Sequence, residues 1–163
     1  MNRKVKVNLS VSEIDKLIAE TKAFKKWQKE KTRELMERLA TLGVSVASLR
    51  FSRAIYTGDN DVQVTAKKIA NGYVIRADGE AALFIEFGSG ITYGGGHPTA
   101  SEYGMGMGTY PSIKGHWKDP AGWHLPKDKG GEHTYGNPPA MAMYEAEKTI
   151  EQELVRIVKE VFV

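Results

Sequence analysis

Apolar residues recur at three- and four-residue intervals along the first part of the chain, which is the spacing of one face of an α-helix. The helix is predicted to begin near Ser10 or Ser12, because either hydroxyl can accept a hydrogen bond from an unpaired backbone N–H. Gly43 is predicted to end it in a left-handed conformation. A helix of about 30 residues is long for a small domain and indicates packing beyond its own core. The apolar stripe consists of Ile14, Leu17, Ile18, Phe24, Leu35, Leu39 and Leu42.

The next part of the chain favours β-structure. Residues 44–56 fit either period, and a short extended piece leading into a helical turn is predicted there. Asn71 and Gly72 separate two alternating runs, a pattern typical of a β-hairpin. A small antiparallel sheet of about three to four strands is therefore predicted. Its strands are residues 61–69, 72–78 and 81–88, and residues 3–8 alternate in the same way.

A second helix is predicted at the C-terminus. Asn137 is placed as its N-cap and Pro138 at its first position, where the missing N–H of proline costs nothing. Residues 88–136, before this helix, follow neither period. They are rich in glycine and aromatic residues, which favours an arm that becomes ordered against a neighbour. The prediction is one α+β domain, residues 1–163, with residues 88–136 as an extended loop or arm.

Composition excludes several classes of protein. The chain has no cysteine, so disulfides, thiolate nucleophiles and cysteine zinc sites are excluded. No apolar run is long enough to cross a membrane. The net charge is +3, and much of the basic character lies in residues 22–38, where glutamates are interleaved. A solvated helix face explains this region better than a nucleic-acid patch does.

The four histidines raise the question of a metal site, since three histidines and a water form a common catalytic zinc set. Their spacing gives little support, because no pair has the HxxxH or HxH relation. Glu132 precedes His133, but adjacent side chains diverge in most backbones. Loop histidines with ordinary hydrogen bonds are expected, with no metal and no cofactor. The histidines are His97, His116, His124 and His133.

Two further patterns resemble catalytic or nucleotide-binding motifs. The "GMGMG" run at residues 104–108 lacks the flanking strand and helix of a dinucleotide loop and is interpreted as a flexible turn. Glu86 is the only carboxylate in a strongly apolar run and could act as a general base. The expected interpretation is an edge or interface carboxylate paired with an Arg or Lys.

Trp117 and Trp123 could stack on sugars or on nucleic-acid bases, with four lysines nearby. They serve equally well as aromatic anchors of a protein interface. Three hypotheses therefore stay open on the residues alone. They are an assembly protein, a metal-dependent hydrolase using the loop histidines, and a glycan- or nucleic-acid-binding module using the tryptophans.

Two short motifs resemble those of the minor tail and tail-completion (head–tail joining) proteins of long-tailed bacteriophages. "EFGSG" at residues 86–90 is similar to the family's strand end, and "GNPPAMAMYEA" at residues 136–146 is similar to its helix entrance. "PAGWH" at residues 120–124 is similar to a segment of members with longer loops. The family's proline turn is not present as such, and "YTGDNDV" stands near its place.

The resemblance implies a non-enzymatic virion protein at the head–tail neck, made and assembled in the cytoplasm of the bacterial host. It implies a homo-oligomeric ring, expected to be a hexamer, that contacts a connector or stopper, a tail terminator or the tail tube. DNA would pass without specific recognition, and no membrane is involved. The interface candidates are Glu86, Phe87, Gly88, Gly90, Tyr110, Trp117, Trp123, His124, Tyr135, Asn137 and Pro138.

Overall fold

The structure, a computed structural model, describes residues 10–93, 96–105, 119–125 and 127–163. The strand expected at residues 3–8 therefore lies outside the described residues. The main elements are α1 (Val11–Ser52), β1 (Gln63–Ile69), β2 (Gly72–Asp78), α2 (Ala82–Phe87), α3 (Gly90–Tyr93), β3 (Trp123–His124), β4 (His133–Thr134) and α4 (Ala142–Phe162), with short 3₁₀ turns at Ala100–Tyr103 and Lys127–Lys129.

Helix α1 begins as the sequence predicts but does not end there. The Ser10 hydroxyl accepts a hydrogen bond from the backbone N–H of Glu13 at 3.4 Å, which confirms the N-cap. The prediction that Gly43 ends the helix is wrong, because the helix continues to Ser52 and is 42 residues long. Gly43 is buried inside it, where a Cβ would come within 2.8 Å of Ile150 Cδ1 and closer still to Ile75 Cδ1. Glycine is needed there for close packing.

The extended segment predicted within residues 44–56 is also wrong. Val46, Ala47 and Phe51 lie on the inner face of α1, and Phe51 is 2% exposed. The apolar contacts they make in the core stabilise the helical conformation, although their sequence is compatible with a strand. The core cluster comprises Ala47, Phe51, Ala81, Ile85, Ala142 and Ala146.

The predicted hairpin is confirmed. Strands β1 and β2 pair antiparallel, with Ile69 opposite Gly72 at the turn. The third predicted strand, residues 81–88, is wrong, because most of it forms helix α2. Short apolar runs fit both structures. The Asp61 carboxylate holds the turn before the helix by accepting hydrogen bonds from the backbone N–H groups of Glu80 and Ala81 at 2.7 and 3.2 Å.

The chain has the predicted α+β class, and its described residues form two small antiparallel sheets. Strands β3 and β4 pair over two residues, Trp123 opposite Thr134 and His124 opposite His133. Both strands lie within the segment 88–136. The 3₁₀ turn at Ala100–Tyr103, which Gly104 ends in a left-handed conformation, lies in the same segment. Only the first two residues of the "GMGMG" run are described, so its interpretation as a flexible turn stays a prediction.

Helix α4 packs antiparallel against α1. Ion pairs join Arg50 to Glu145 at 3.4 Å near one end and Arg38 to Glu160 at 3.5 Å near the other. The predicted start at Pro138 is wrong, because the helix begins at Ala142, after Met141 in a left-handed conformation. Within the described ranges, no helix is long and apolar enough to cross a membrane.

Candidate interaction site

The two motif segments, residues 86–90 and 136–146, meet directly in the structure. Ser89 and Asn137 form an antiparallel bridge, in which each backbone N–H donates to the other residue's carbonyl, at 2.9 and 3.3 Å. The Ser89 hydroxyl also donates to Asn137 Oδ1 at 2.5 Å. We call the region formed by residues 84–90, His97 and residues 136–144 the junction. It joins the end of α2 to the entrance of α4.

Asn137 holds the junction from the inside. Its side chain is buried, and its amide nitrogen donates to the carbonyl of Phe84 at 2.8 Å, near the end of α2. With its Oδ1 engaged by Ser89, both ends of the amide have partners. An asparagine in this position therefore fixes two backbone segments to each other, instead of capping α4 as the sequence suggests.

Glu86 is the cap of α4. Its carboxylate is buried and accepts hydrogen bonds from the backbone N–H groups of Met143 and Tyr144, at 3.0 and 3.1 Å. A carboxylate at a helix N-terminus satisfies unpaired N–H groups and interacts favourably with the helix dipole. The expected Arg or Lys partner is therefore wrong. The backbone and His97 take its place.

His97 completes this arrangement. It is 4% exposed, and its Nε2 lies 3.2 Å from Glu86 Oε1. Because Nδ1 accepts from the backbone N–H of Thr99 at 3.2 Å, Nε2 is assigned as the nitrogen that carries the proton and donates to Glu86. The ring packs against Phe87 and Tyr144, with centroid distances of 4.5 and 5.4 Å. His97 thus has the ordinary hydrogen bonds expected of a loop histidine.

Two glycines allow the backbones of the junction to approach. Gly136 has φ 99°, and a Cβ there would collide with the carbonyl oxygen of Ser89. Gly88 has φ 76°, and a Cβ there would lie 2.8 Å from the backbone nitrogen of Pro139. Both positions need glycine, for its left-handed conformation and for the missing side chain.

A cleft of about 500 Å³ opens beside the junction. Trp123 and Phe84 contribute aromatic surface to it, and Ser89 and Asn137 reach it from the junction. Asp59, Asp61 and Glu80 place carboxylates along the same lining. The cleft thus combines aromatic and acidic groups, and residues of both motifs, among them Ser89 and Asn137, form part of its lining.

The interface candidates divide by position. The junction buries Glu86, Phe87, Gly88, Gly90 and Asn137, and Pro138 is half-buried. Trp123 is also buried, against the cleft. His124 and Tyr135 are exposed, whereas Tyr110 and Trp117 lie outside the described residues. Sequence reasoning missed Ser89 as a partner of Asn137, since no local pattern links positions 48 residues apart.

The described histidines, expected to be free of metal, lie in two different parts of the structure. His124 and His133 face each other across β3 and β4, with ring centroids 4.9 Å apart, and Tyr135 packs against His133. His97 belongs to the junction, and His116 lies outside the described residues. Over the described ranges, no group of three or more His, Asp or Glu side chains is arranged to hold a metal ion.

Comparison of this chain with protein-family models, with curated proteins and with solved structures found no match.

Proposed function

We propose that this protein is a structural component of a tailed bacteriophage or prophage, which joins or completes the tail at the head–tail neck as part of a homo-oligomeric ring. The observation that carries the proposal is the junction itself. The two motifs that resemble the tail-completion family are far apart in sequence, yet they pair through Ser89 and Asn137 and through Glu86 and the start of α4. Two segments that build one structural feature together are expected to be found together in the proteins of one family. The contact between the two motifs therefore supports the resemblance.

The chemistry of the junction supports a scaffold role. The Glu86 carboxylate is engaged by two backbone N–H groups and by His97, and the Ser89 hydroxyl by Asn137. Groups used in this way stabilise a backbone arrangement.

The surface beside the junction supports an assembly role. Tyr135 is 53% exposed next to the buried Asn137, and the cleft places Trp123 beside three carboxylates. Aromatic and charged groups around a concave surface are typical of protein-binding sites. We assign this cleft to contact with a neighbouring neck or tail protein.

The test is genetic and structural. The gene would be deleted from the genome that carries it, particle production induced, and the lysate examined by electron microscopy. We expect filled heads and free tails that are not joined, and restoration of joined particles by the wild-type gene. Normal infectious particles from the deletion would contradict the proposal.

A matched pair of variants extends the test to the cleft. Trp123→Ala removes aromatic surface from the cleft, whereas Phe162→Ala removes a half-buried aromatic side chain at the end of α4, away from the cleft. Both proteins would be checked for folding by circular dichroism. We expect only the Trp123 variant to fail in complementation, and equal complementation by both would exclude the cleft as the contact.

A further inference from the structure

The N-terminal half of α1 extends from the molecule with an apolar stripe that no other described part of the chain covers. Every residue from 11 to 30 is exposed except Leu17, which is intermediate. Val11 is 77% exposed, Ile14 40% and Ile18 46%. We call residues 11–20 the arm. It is a helical extension with an apolar face.

The arm and the following part of α1 carry opposite charge. Residues 11–20 contain three carboxylates and one lysine, a net charge of −2. Residues 22–33 contain six basic residues and one glutamate, a net charge of +5. The helix is thus acidic at its tip and basic further along.

The basic part of α1 forms one wall of a groove of about 480 Å³. Lys25, Lys29 and Arg33 line it from the helix, and Lys68 lines it from β1. Met36 and Ile69 add apolar surface. The lining, all of it within the described ranges, includes no carboxylate. Nor does any of its four cations form an ion pair with another described residue.

The apolar arm and the groove lie on the same face of one helix. Positions 11, 14, 18, 25, 29, 32 and 36 are separated by three, four or seven residues, which places them along one stripe. Of the arm's three carboxylates, Asp15 borders this stripe, whereas Glu13 and Glu20 lie on the other side of the helix. The groove carries basic groups with apolar ones between them. The apolar face of the arm, bordered by Asp15, is therefore complementary to the groove.

We propose that the arm of one copy of this protein binds in the groove of a second copy, in a head-to-tail contact. A straight helix cannot fold back on itself, so the arm cannot reach the groove of its own chain. Because two different surfaces meet, the contact leaves one arm and one groove unused at the ends, and it propagates into rings or open filaments. The inference does not rest on the virion role.

A reciprocal pair, in which two copies exchange arms, is disfavoured. In an antiparallel pair that sets each arm on the other groove, Lys22, Lys25 and Lys26 of both copies meet near the two-fold axis. Like charges brought together in this way repel each other, and no carboxylate of residues 21–29 is present to offset them. The head-to-tail contact avoids this repulsion.

Charge exchange tests the contact on the free protein. The arm variant carries Asp15→Lys and Ile18→Lys, which place positive charge on the contact stripe, and the groove variant carries Lys25→Glu, Lys29→Glu and Arg33→Glu. We expect wild-type protein to exceed the monomer mass of 18.1 kDa as its concentration rises at low salt. It should return to that mass at about 1 M salt, where charges are screened beyond about 3 Å.

Each variant alone should remain monomeric, and an equal mixture of the two should regain the larger mass, because each altered arm then meets an oppositely charged groove. This rescue shows that the variants are folded. Either variant associating like wild type, or a mixture that stays monomeric, would overturn the proposal.

Cross-linking tests the direction, and the absence of native cysteine makes it selective. Ile18→Cys and Thr32→Cys would be combined in one chain and treated with a flexible bismaleimide that spans about 10 Å. Within one helix these positions are about 21 Å apart, so the reagent cannot join them. A ladder of dimers, trimers and larger species is expected. Products that stop at the dimer would indicate the reciprocal pair and overturn the head-to-tail contact, and so would no cross-linking.

Discussion

The two long helices of this protein begin in different ways. Helix α4 begins behind the buried carboxylate of Glu86, which is 57 residues away in sequence from Met143, whose N–H it accepts. Helix α1 begins at the exposed hydroxyl of Ser10, three residues from its partner Glu13. The start of α4 is fixed by the tertiary structure, whereas that of α1 depends on local interactions.

This difference separates folding from assembly. At the junction, buried polar groups are satisfied by one another and leave little room for change. Along residues 11–30, apolar and charged groups face the solvent, so substitutions there are expected to alter association more than stability. The predictions below test this contrast, from the largest expected effect on stability to the smallest.

Gly136→Ala is expected to have the largest effect, a loss of about 3 kcal/mol or more in the free energy of unfolding, because the new Cβ collides with the Ser89 carbonyl. Gly130→Ala is the matched control. Gly130 has φ 100°, almost the same as the 99° of Gly136, but open space where the Cβ would lie. Its cost should be only that of the backbone conformation, about 1–2 kcal/mol. Urea unfolding of both variants measures the difference in the free energy of unfolding. Equal losses would contradict the close contact between position 136 and the Ser89 carbonyl.

Glu86→Gln should lower the free energy of unfolding by about 2 kcal/mol. The amide keeps the size of the side chain but removes the charge that faces the start of α4 and His97. Glu147→Gln changes an exposed carboxylate on α4 and should stay within about 0.5 kcal/mol of wild type. Thermal unfolding compares the two variants. Similar melting temperatures would show that Glu86 does not stabilise the helix start.

Gly43→Ala changes the free energy of unfolding in two opposite directions, one through helix propensity and one through packing. Alanine favours a helix interior by about 1 kcal/mol, and overpacking costs about 1–3 kcal/mol. A net loss near 1 kcal/mol is expected, because the Cβ would meet the tips of Ile75 and Ile150.

Adding Gly43→Ala to a protein that already carries Ile75→Val and Ile150→Val should be less harmful, because valine lacks the colliding Cδ1 atoms. Chemical denaturation of all four proteins gives the coupling energy. A coupling of zero would mean that these contacts do not limit position 43.

Ile18→Ala should change the free energy of unfolding by less than about 0.5 kcal/mol, because the side chain is already 46% exposed in the single chain. Ile157→Ala removes a similar side chain from a buried position on α4 and should cost about 2–5 kcal/mol. Both would be measured at high salt, where the arm contact is screened. A large loss in the free energy of unfolding of Ile18→Ala would contradict the expectation that the arm does not stabilise the single chain.

The sequence predicts elements whose signals are local. The Ser10 cap, the hairpin turn at Asn71–Gly72 and the apolar stripe of α1 depend on residues close in the chain. The failures have one physical cause. Gly43, residues 81–88 and Asn137 adopt conformations that are decided by distant partners, such as Ile75, Ile150, Asp61 and Ser89. No single-sequence pattern records those contacts.

The candidate site shows the same contrast between local sequence signals and contacts with distant residues. The sequence directs attention to Glu86 and Asn137 through their motifs, and the structure shows what each one binds. The pairing of Glu86 with His97 joins residues on two segments that no sequence pattern connects, since His97 is predicted only to be a loop histidine with ordinary hydrogen bonds. The chemistry of the junction could therefore be located from the sequence but not interpreted from it.

Hydrogen exchange along α1 tests most directly the claim that one continuous helix has a folded half and an assembly half. It would be followed by mass spectrometry at about 1 M salt and again at low salt. At high salt we expect amides of residues 11–30 to exchange much faster than those of residues 40–52, whose apolar face is buried in the core. At low salt and high protein concentration, protection of residues 11–30 should rise. Uniform protection along α1 at high salt, unchanged at low salt, would contradict the account.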